Sequence, residues 1–279
     1  MAPIDLITNL AALLLWLNWR MAGFVAAPVA GVSLAGTLKR TEPERTRRWW
    51  WLVFLLLLIV GRALFYCYVG SAVNWVAALR LGATTLFFRS DHLALMHWFS
   101  WLSFGLTMAV FYCWLVLLSV ANRSYTEGNP EQKLVRLHLG WLEPWPAFVK
   151  LLLPLVLIAL LWRVLAPALV TLAVIPAPVS TTHLWEQGLV IGLGAFFAGQ
   201  YLIIGLLLLH LLHSYVYLGD HSFWKFVPAT ANHLLGPLRR LPLRAGQLDL
   251  APLLGVALVW AAAHFGLQSL TEWFKRLPL

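Results

Sequence analysis

Nine histidines, two cysteines and a few charges set inside apolar runs are the side chains of this 279-residue chain with chemical reach. His210 and His213 stand three apart, which puts both on one face of a helix. Imidazoles so placed in a membrane helix are potential ligands of a metal or a haem iron. A third ligand would have to come from His264. At 1.5 Å per residue His210 lies about 12 Å from one end of its apolar run, and His264 about 21 Å in from the same side. A depth offset of about 10 Å suits no single metal, so His210 and His213 are weak metal candidates. Interhelical hydrogen bonding is the expectation for them, and no cofactor is expected. His97 sits further away still.

Arg62 and Arg163 also fall inside apolar runs. A charge at the bilayer centre costs about 2.5–3.5 kcal/mol even on the lenient insertion scale. Both arginines are placed in the outer third of their runs. There they can snorkel or pair with Asp91 or Glu186 at the outer rim, and one such pair is expected. No carboxylate lies near the middle of a run, as a proton or cation path would require. Cys67 and Cys113 lie toward opposite faces and form no CxxC motif, so no disulfide framework is expected. No nucleophile, acid and base converge, and an enzyme is not expected.

The elements that carry these residues follow from composition. The chain is 61% hydrophobic and only 11% charged, with mean hydropathy +0.78. Soluble domains average about 25% charged residues. Apolar runs of about 20 residues recur, the length that crosses a ~30 Å hydrocarbon core as a helix. An all-α, polytopic helical membrane protein is the class that fits; a β-barrel would alternate in short segments. Six spans are expected, at 4–19, 49–69, 93–120, 147–171, 186–217 and 250–272. Residues 21–38, rich in Gly, Ala, Ser and Pro, read as an interfacial or loose connector rather than a further crossing. The alternation around Leu79–Phe88 fits either a short hairpin or a surface-lying segment. The first apolar run has no basic stretch before it, so no cleavable signal peptide is expected.

The net charge is +9 and the pI near 10.0. In a soluble protein that balance would suggest nucleic acid. Here the basic residues sit mainly in connectors, as a topology signal facing anionic headgroups, and no direct nucleic-acid partner is expected. With the N-terminus outside, fourteen of the twenty Lys and Arg residues fall on the cytoplasmic side, four outside and two within spans. Both termini are therefore expected outside. Tryptophans near the ends of the runs (98, 101, 185 and 273 outside; 141, 145 and 224 inside) fit an aromatic belt.

Two inner connectors look alike. After the third span comes Asn129–Pro130 and a segment, 131–142, in which Leu134, Leu137, Trp141 and Leu142 share a helical face with Lys133 and Arg136 off it. After the fifth span, 220–235 places Phe223, Phe226, Val227, Leu234 and Leu235 on one stripe, with Lys225, Asn232 and His233 away from it. Each ends at a proline, Pro144 or Pro237, offset by 93 positions, and each feeds another span. Amphipathic helices of this kind lie in the headgroup plane. The second connector continues as a basic, proline-broken stretch, Pro237, Arg239, Arg240, Pro242 and Arg244, turning through Gly246. Asp249 is placed to cap the next helix, and Pro252 falls in its first turn, where a missing N–H does little harm.

The run from His233 to Val256, with Pro237, Arg239, Arg240, Pro242, Gly246, Leu248, Asp249, Leu250 and Pro252, resembles the YggT family, which is built from repeats of two spans with a Pro-Arg-Arg and Gly-Leu-Asp-Leu-Ser-Pro connector. Gln247 stands for a glycine and Ala251 for the serine. The resemblance covers about 202–272 strongly and 110–165 weakly, where Asn129–Pro130, Glu143–Pro144 and Pro154 remain but the arginine pair does not. It implies three parts: a two-span extension over 1–91, a degenerate first repeat over 92–185 and a second repeat over 186–279. It further implies a small, non-enzymatic membrane scaffold or assembly factor, of a family linked to cell division, membrane organisation and osmotic tolerance. Partner or lipid contacts would fall to Arg239, Arg240, Arg244, Lys225, Lys133 and Arg136. The partners expected are anionic headgroups and a cytoplasmic or membrane protein. A small channel or transporter, or a cytochrome- or haem-assembly factor, stands as the alternative. Gly188, Gly192, Ala195 and Gly199 form small-xxx-small pairs that fit either intrachain packing or an oligomer contact.

Overall fold

The computed structural model describes residues 2–22, 45–123, 130–178, 180–216, 219, 221–238, 244–245 and 248–276. In lipid the backbone of an apolar run can hydrogen-bond only to itself, and helices follow from that. In chain order they are α1 (Ala2–Ala22), α2 (Arg45–Ala72), α3 (Leu93–Ala121), α4 (Pro130–Leu139), α5 (Ala147–Thr171), α6 (Thr181–Phe197), α7 (Gly199–Tyr215), α8 (Ser222–Leu234) and α9 (Ala251–Arg276). Strands β1 (Val76–Leu81) and β2 (Thr84–Arg89) pair between α2 and α3, and β3 (Arg244–Ala245) pairs antiparallel with β4 (Leu248–Asp249) before α9. The class is all-α. Five stretches are long and apolar enough to cross a membrane: Arg48–Ala72, Leu93–Ala121, Ala147–Thr171, Thr181–Tyr215 and Ala251–Arg276. The chain is thus a multi-pass membrane protein. Helix α1, which carries Asp5, Asn9, Asn18 and Arg20, is not among the five.

The chain forms two units, one of residues 1–79 and 87–108, the other of 80–86 and 109–279. In the first, α1 runs antiparallel to α2. Asp5 lies beside Arg62 and Tyr66, Ala12 packs with Leu55 and Ile59, and the Arg48 guanidinium sits 4.9 Å from the Trp19 ring centre. The first part of α3 lies against the same helix, with Ser100 at Arg62 and Phe104 at Leu55 and Ile59. Around Tyr66, buried among rings, Trp75 and Phe99 lie at 5.1 and 5.8 Å, and Phe88 at 5.7 Å from Phe99. The ambiguous segment around Leu79–Phe88 is a hairpin. Ala77, Leu79, Leu81, Leu86 and Phe88 point inward, as the period-two pattern requires. Its two-residue turn begins at Gly82 with φ +63, a conformation glycine adopts without strain.

In the second unit small residues pack helices of the same chain together. A Cβ placed on Gly188 would lie 2.9 Å from the Ala159 Cα, and one on Gly192 would lie 3.3 Å from the Leu155 carbonyl oxygen. The two glycines therefore bring α6 into backbone contact with α5 within one chain. Gly194 does the same for the hairpin tip, where its Cβ would meet the Gly82 Cα at 2.6 Å.

One expectation needs correction. The fifth span is not one helix over 186–217: it starts at Thr181, with the Ser180 hydroxyl accepting from the His183 N–H, and divides at Ala198. There the Trp114 indole donates to the Ala198 carbonyl at 3.0 Å, and the Ala198 N–H reaches back only three residues, to Ala195. The first half, α6, packs mainly on α5 and also touches α9, while α7 packs on α8 and α9. Helix α4 has one side against protein: Gln132, Val135, His138 and Leu139, with Val135 and Leu139 against Leu115 and Val116 of α3. Leu134 and Trp141, on the apolar stripe expected to lie at the headgroup plane, are 41% and 68% exposed. In a membrane protein the apolar side can face lipid, so hydrophobic period alone does not say which side meets protein.

These contacts predict opposite outcomes for two glycines. Gly188→Val, which drives side-chain atoms into the α5 backbone, is expected to cost about 1–3 kcal/mol. Gly205→Ala, whose Cβ meets nothing within 4 Å, is expected to stay within about 0.5 kcal/mol of the parent. Unfolding of purified protein in detergent micelles measures both.

Candidate functional site

The polar chemistry of the first unit converges on Arg62. Its side chain is 3% exposed, although it stands well inside an apolar helix. Asp5 and Asn9 are one turn apart on α1; Ser100 and Ser103 are one turn apart on α3. The Nη1 group donates to Asn9 Oδ1 at 2.6 Å and to Asp5 Oδ1 at 3.3 Å. Nε donates to Ser100 Oγ at 2.9 Å, and Nη2 to the Ser100 carbonyl. The acceptors are themselves tied down: Asn9 Nδ2 donates to Ser103 Oγ at 2.8 Å, Ser103 Oγ to Asp5 at 3.2 Å, and Ser100 Oγ to the Ile59 carbonyl at 2.7 Å. Hydrogen bonds to a charged group contribute about 1.5–3 kcal/mol each. Four of them offset an insertion cost of about 2.5–3.5 kcal/mol. Arg62 therefore turns inward instead of snorkelling, and its carboxylate partner is Asp5, not Asp91 or Glu186. Asp91 pairs with Arg89 at 2.5 Å, and Glu186 with His183 at 3.1 Å.

A second polar knot lies in the other unit, where α3 ends and α5 begins. The Lys150 side chain is 5% exposed, and its Nζ donates to Ser119 Oγ at 2.8 Å and to Glu143 Oε2 at 3.3 Å. Ser119 donates to the same carboxylate at 2.6 Å, and Arg136 Nε approaches its other oxygen at 3.7 Å. Glu143 is thus shared between two cations. The turn that delivers it, Gly140–Leu142, is a single 3₁₀ turn entered at Gly140 with φ +53.

Close by, the two short helices α4 and α8 are joined. Buried Asn122, just past α3, donates from Nδ2 to Thr230 Oγ1 at 2.9 Å, and its carbonyl accepts from Gln132 Nε2 at 3.0 Å. Ser222 Oγ donates to Glu131 Oε1 at 2.5 Å, across the starts of the two helices. Helix α8 is held on its other side by Ala231 and Leu235 against Leu207 of α7.

The residues expected from the sequence distribute as follows. Lys133 on α4 and Lys225 on α8 are exposed. Arg136 is occupied with Glu143. Arg239, Arg240, Pro242 and Gly246 lie outside the described residues, as does most of the 21–38 connector. The backbone of Arg244 pairs with that of Asp249. Asp249 Oδ1 accepts from the Ala251 N–H at 3.0 Å, the capping role read from its position. Pro237 is exposed just beyond α8, and Pro252 is buried in the first turn of α9. His213 stacks on Trp224 of α8 with ring centres 6.3 Å apart, and His264 stacks on Trp260 of its own helix at 5.2 Å. Among the described residues no three His, Cys, Asp or Glu side chains gather as a metal would need.

Asp5, Asn9, Ser100, Ser103, Ser119, Asn122 and Lys150 were not singled out from the sequence, and Glu143 only as part of the Glu143–Pro144 pair. A usable signal was there for four of them: polar pairs three or four apart in an apolar run mark a helix face that needs a polar neighbour.

Removing one member of the Glu143 knot should strand a buried cation. Glu143→Ala is expected to destabilise by about 3 kcal/mol, and adding Lys150→Met should recover most of the loss, since an apolar pair leaves no unmet charge. Unfolding midpoints of the three forms in one detergent check this. No protein-family model, curated protein or solved structure matches the chain.

Proposed function

We propose that this chain is a non-enzymatic membrane scaffold or assembly factor of the YggT type, with six spans, both termini on the outer face of a bacterial inner membrane, and a working surface on the cytoplasmic side. One observation carries the reading: the short helices α4 and α8 are bonded to each other through Glu131–Ser222 and flanked by Asn122–Thr230, and they leave Lys133 and Lys225 exposed. Two amphipathic helices locked together make a preformed basic platform at a headgroup plane. The arginine-bearing turn at 239–244 follows directly from α8 and would add to its charge.

The order of elements supports the two-copy reading. A long helix, a short one and another long one occur as α3, α4, α5 and as α7, α8, α9. Displacing Pro130, the first residue of α4, by the 93-position proline offset reaches Phe223, one residue into α8. Against a channel or transporter stands the self-contained bonding of the polar side chains, since Arg62, Lys150 and Asn122 each end on protein acceptors. Wide use of such side chains for solute contact would require them to part.

Charge reversal at the basic turn tests the platform. Arg239→Glu, Arg240→Glu and Arg244→Glu together are expected to leave insertion and yield intact. Recovery of a crosslinked protein partner from native membranes should drop to background. Unchanged recovery would sink the scaffold reading.

A further inference from the structure

The first unit points to how α1 comes to cross the bilayer. We propose that α1 crosses only because Arg62 receives it: its Asp5–Asn9 edge docks on a polar face that α2 and α3 present through Arg62, Ser100 and Ser103. The inference rests on the six-span reading above and adds its cause.

Three observations carry it. Helix α1 carries Asp5, Asn9 and Asn18 in its apolar run and is not among the five long apolar helices, whereas α2 and α3 are. Its polar residues share a face: Asp5 and Asn9 both reach Arg62 and Ser103. The opposite face, Leu6, Ile7, Leu10 and Leu14, is 62%, 64%, 49% and 59% exposed, as a lipid-facing side would be. Helix α1 also lies along α2 from Trp19 beside Arg48 to Asp5 beside Arg62 and Tyr66. Eighteen residues of α2 separate those ends, or about 27 Å of rise, close to a ~30 Å hydrocarbon core. If α2 crosses, α1 alongside it crosses too, in the opposite sense.

The dependence is mutual. Arg62 without α1 is a charge left with only the Ser100 hydroxyl and carbonyl, and α1 without Arg62 brings a carboxylate into lipid with only the Ser103 and Tyr66 hydroxyls to meet it and no opposite charge. Insertion of α2 and α3 therefore comes first and presents the guanidinium. The N-terminal end then follows, drawn across by the pair it completes.

The test uses the full chain translated into microsomes. A glycosylation acceptor on an N-terminal extension reports α1, and a second acceptor inserted between Asp91 and His92 reports α2 and α3 independently. In the parent both sites should be modified. Arg62→Leu should lower modification of the N-terminal site about fivefold or more, because Asp5 and Asn9 lose their partner, while the Asp91–His92 site stays modified. Exchanging the charges, Asp5→Arg with Arg62→Asp, should restore the N-terminal site. So should Asp5→Leu, Asn9→Leu and Arg62→Leu together, which leave nothing polar to pair. The proposal is overturned by an N-terminal site unaffected in Arg62→Leu, by a triple variant as poorly modified as Arg62→Leu, or by loss of both sites in parallel. An N-terminal site unmodified in the parent overturns the six-span reading itself; one modified in the parent and indifferent to Arg62 overturns only this inference.

Discussion

Hydrocarbon offers no hydrogen bonds, and that constraint organises this protein. A backbone or side-chain polar group placed in it must find its partner within the chain. The backbone meets the requirement by forming helices. The side chains meet it by gathering at a few points, each joining helices distant in sequence. Arg62 binds α1 and α3 to α2, Lys150 and Glu143 bind the end of α3 to the start of α5, and Asn122 binds α3 to α8. Packing between apolar helices in lipid has no hydrophobic driving force, so these polar joints and close backbone contacts carry more of the specificity than they would in water.

The close contacts are made by absence of side chain. Gly188 and Gly192 let α6 touch the α5 backbone, and Gly194 admits the hairpin turn at Gly82. Dispersion between backbones at such range depends on the missing methyl groups, since even one Cβ would meet atoms at 2.6–3.3 Å. Polar joints select which helices meet; small residues set how near they come. The broken span at Ala198 shows both at once. The Ala198 carbonyl accepts from the Trp114 indole as well as from the Tyr201 N–H, and the small residues around it leave room for Leu117 beside Gly199.

The docking surface proposed above belongs to the second unit. The short helices α4 and α8 are held by the same kind of joint that holds the spans, through Glu131, Ser222, Asn122 and Thr230. A rigid pair of surface helices loses little conformational freedom on meeting a partner, which favours a docking role over a moving one.

Five long apolar helices were legible from length and hydropathy, because crossing lipid demands about 20 apolar residues wherever it occurs. The Asp249 cap was legible for a local reason: its acceptor and the Ala251 N–H are two residues apart. Arg62 could be recognised as costly, but its partner could not be named. Asp5 is 57 residues away, and nothing in hydropathy distinguishes it from the nearer Asp91. The side of α4 that packs on protein was not legible, because lipid and protein interior are equally apolar, so Leu134 and Val135 look alike until a neighbour is in place. Composition thus determined the solvent, the class and most of the crossings, all set by transfer from water. Which polar residue meets which, and which side of a helix touches protein, only tertiary packing decided, because those choices depend on contacts between segments far apart in the chain.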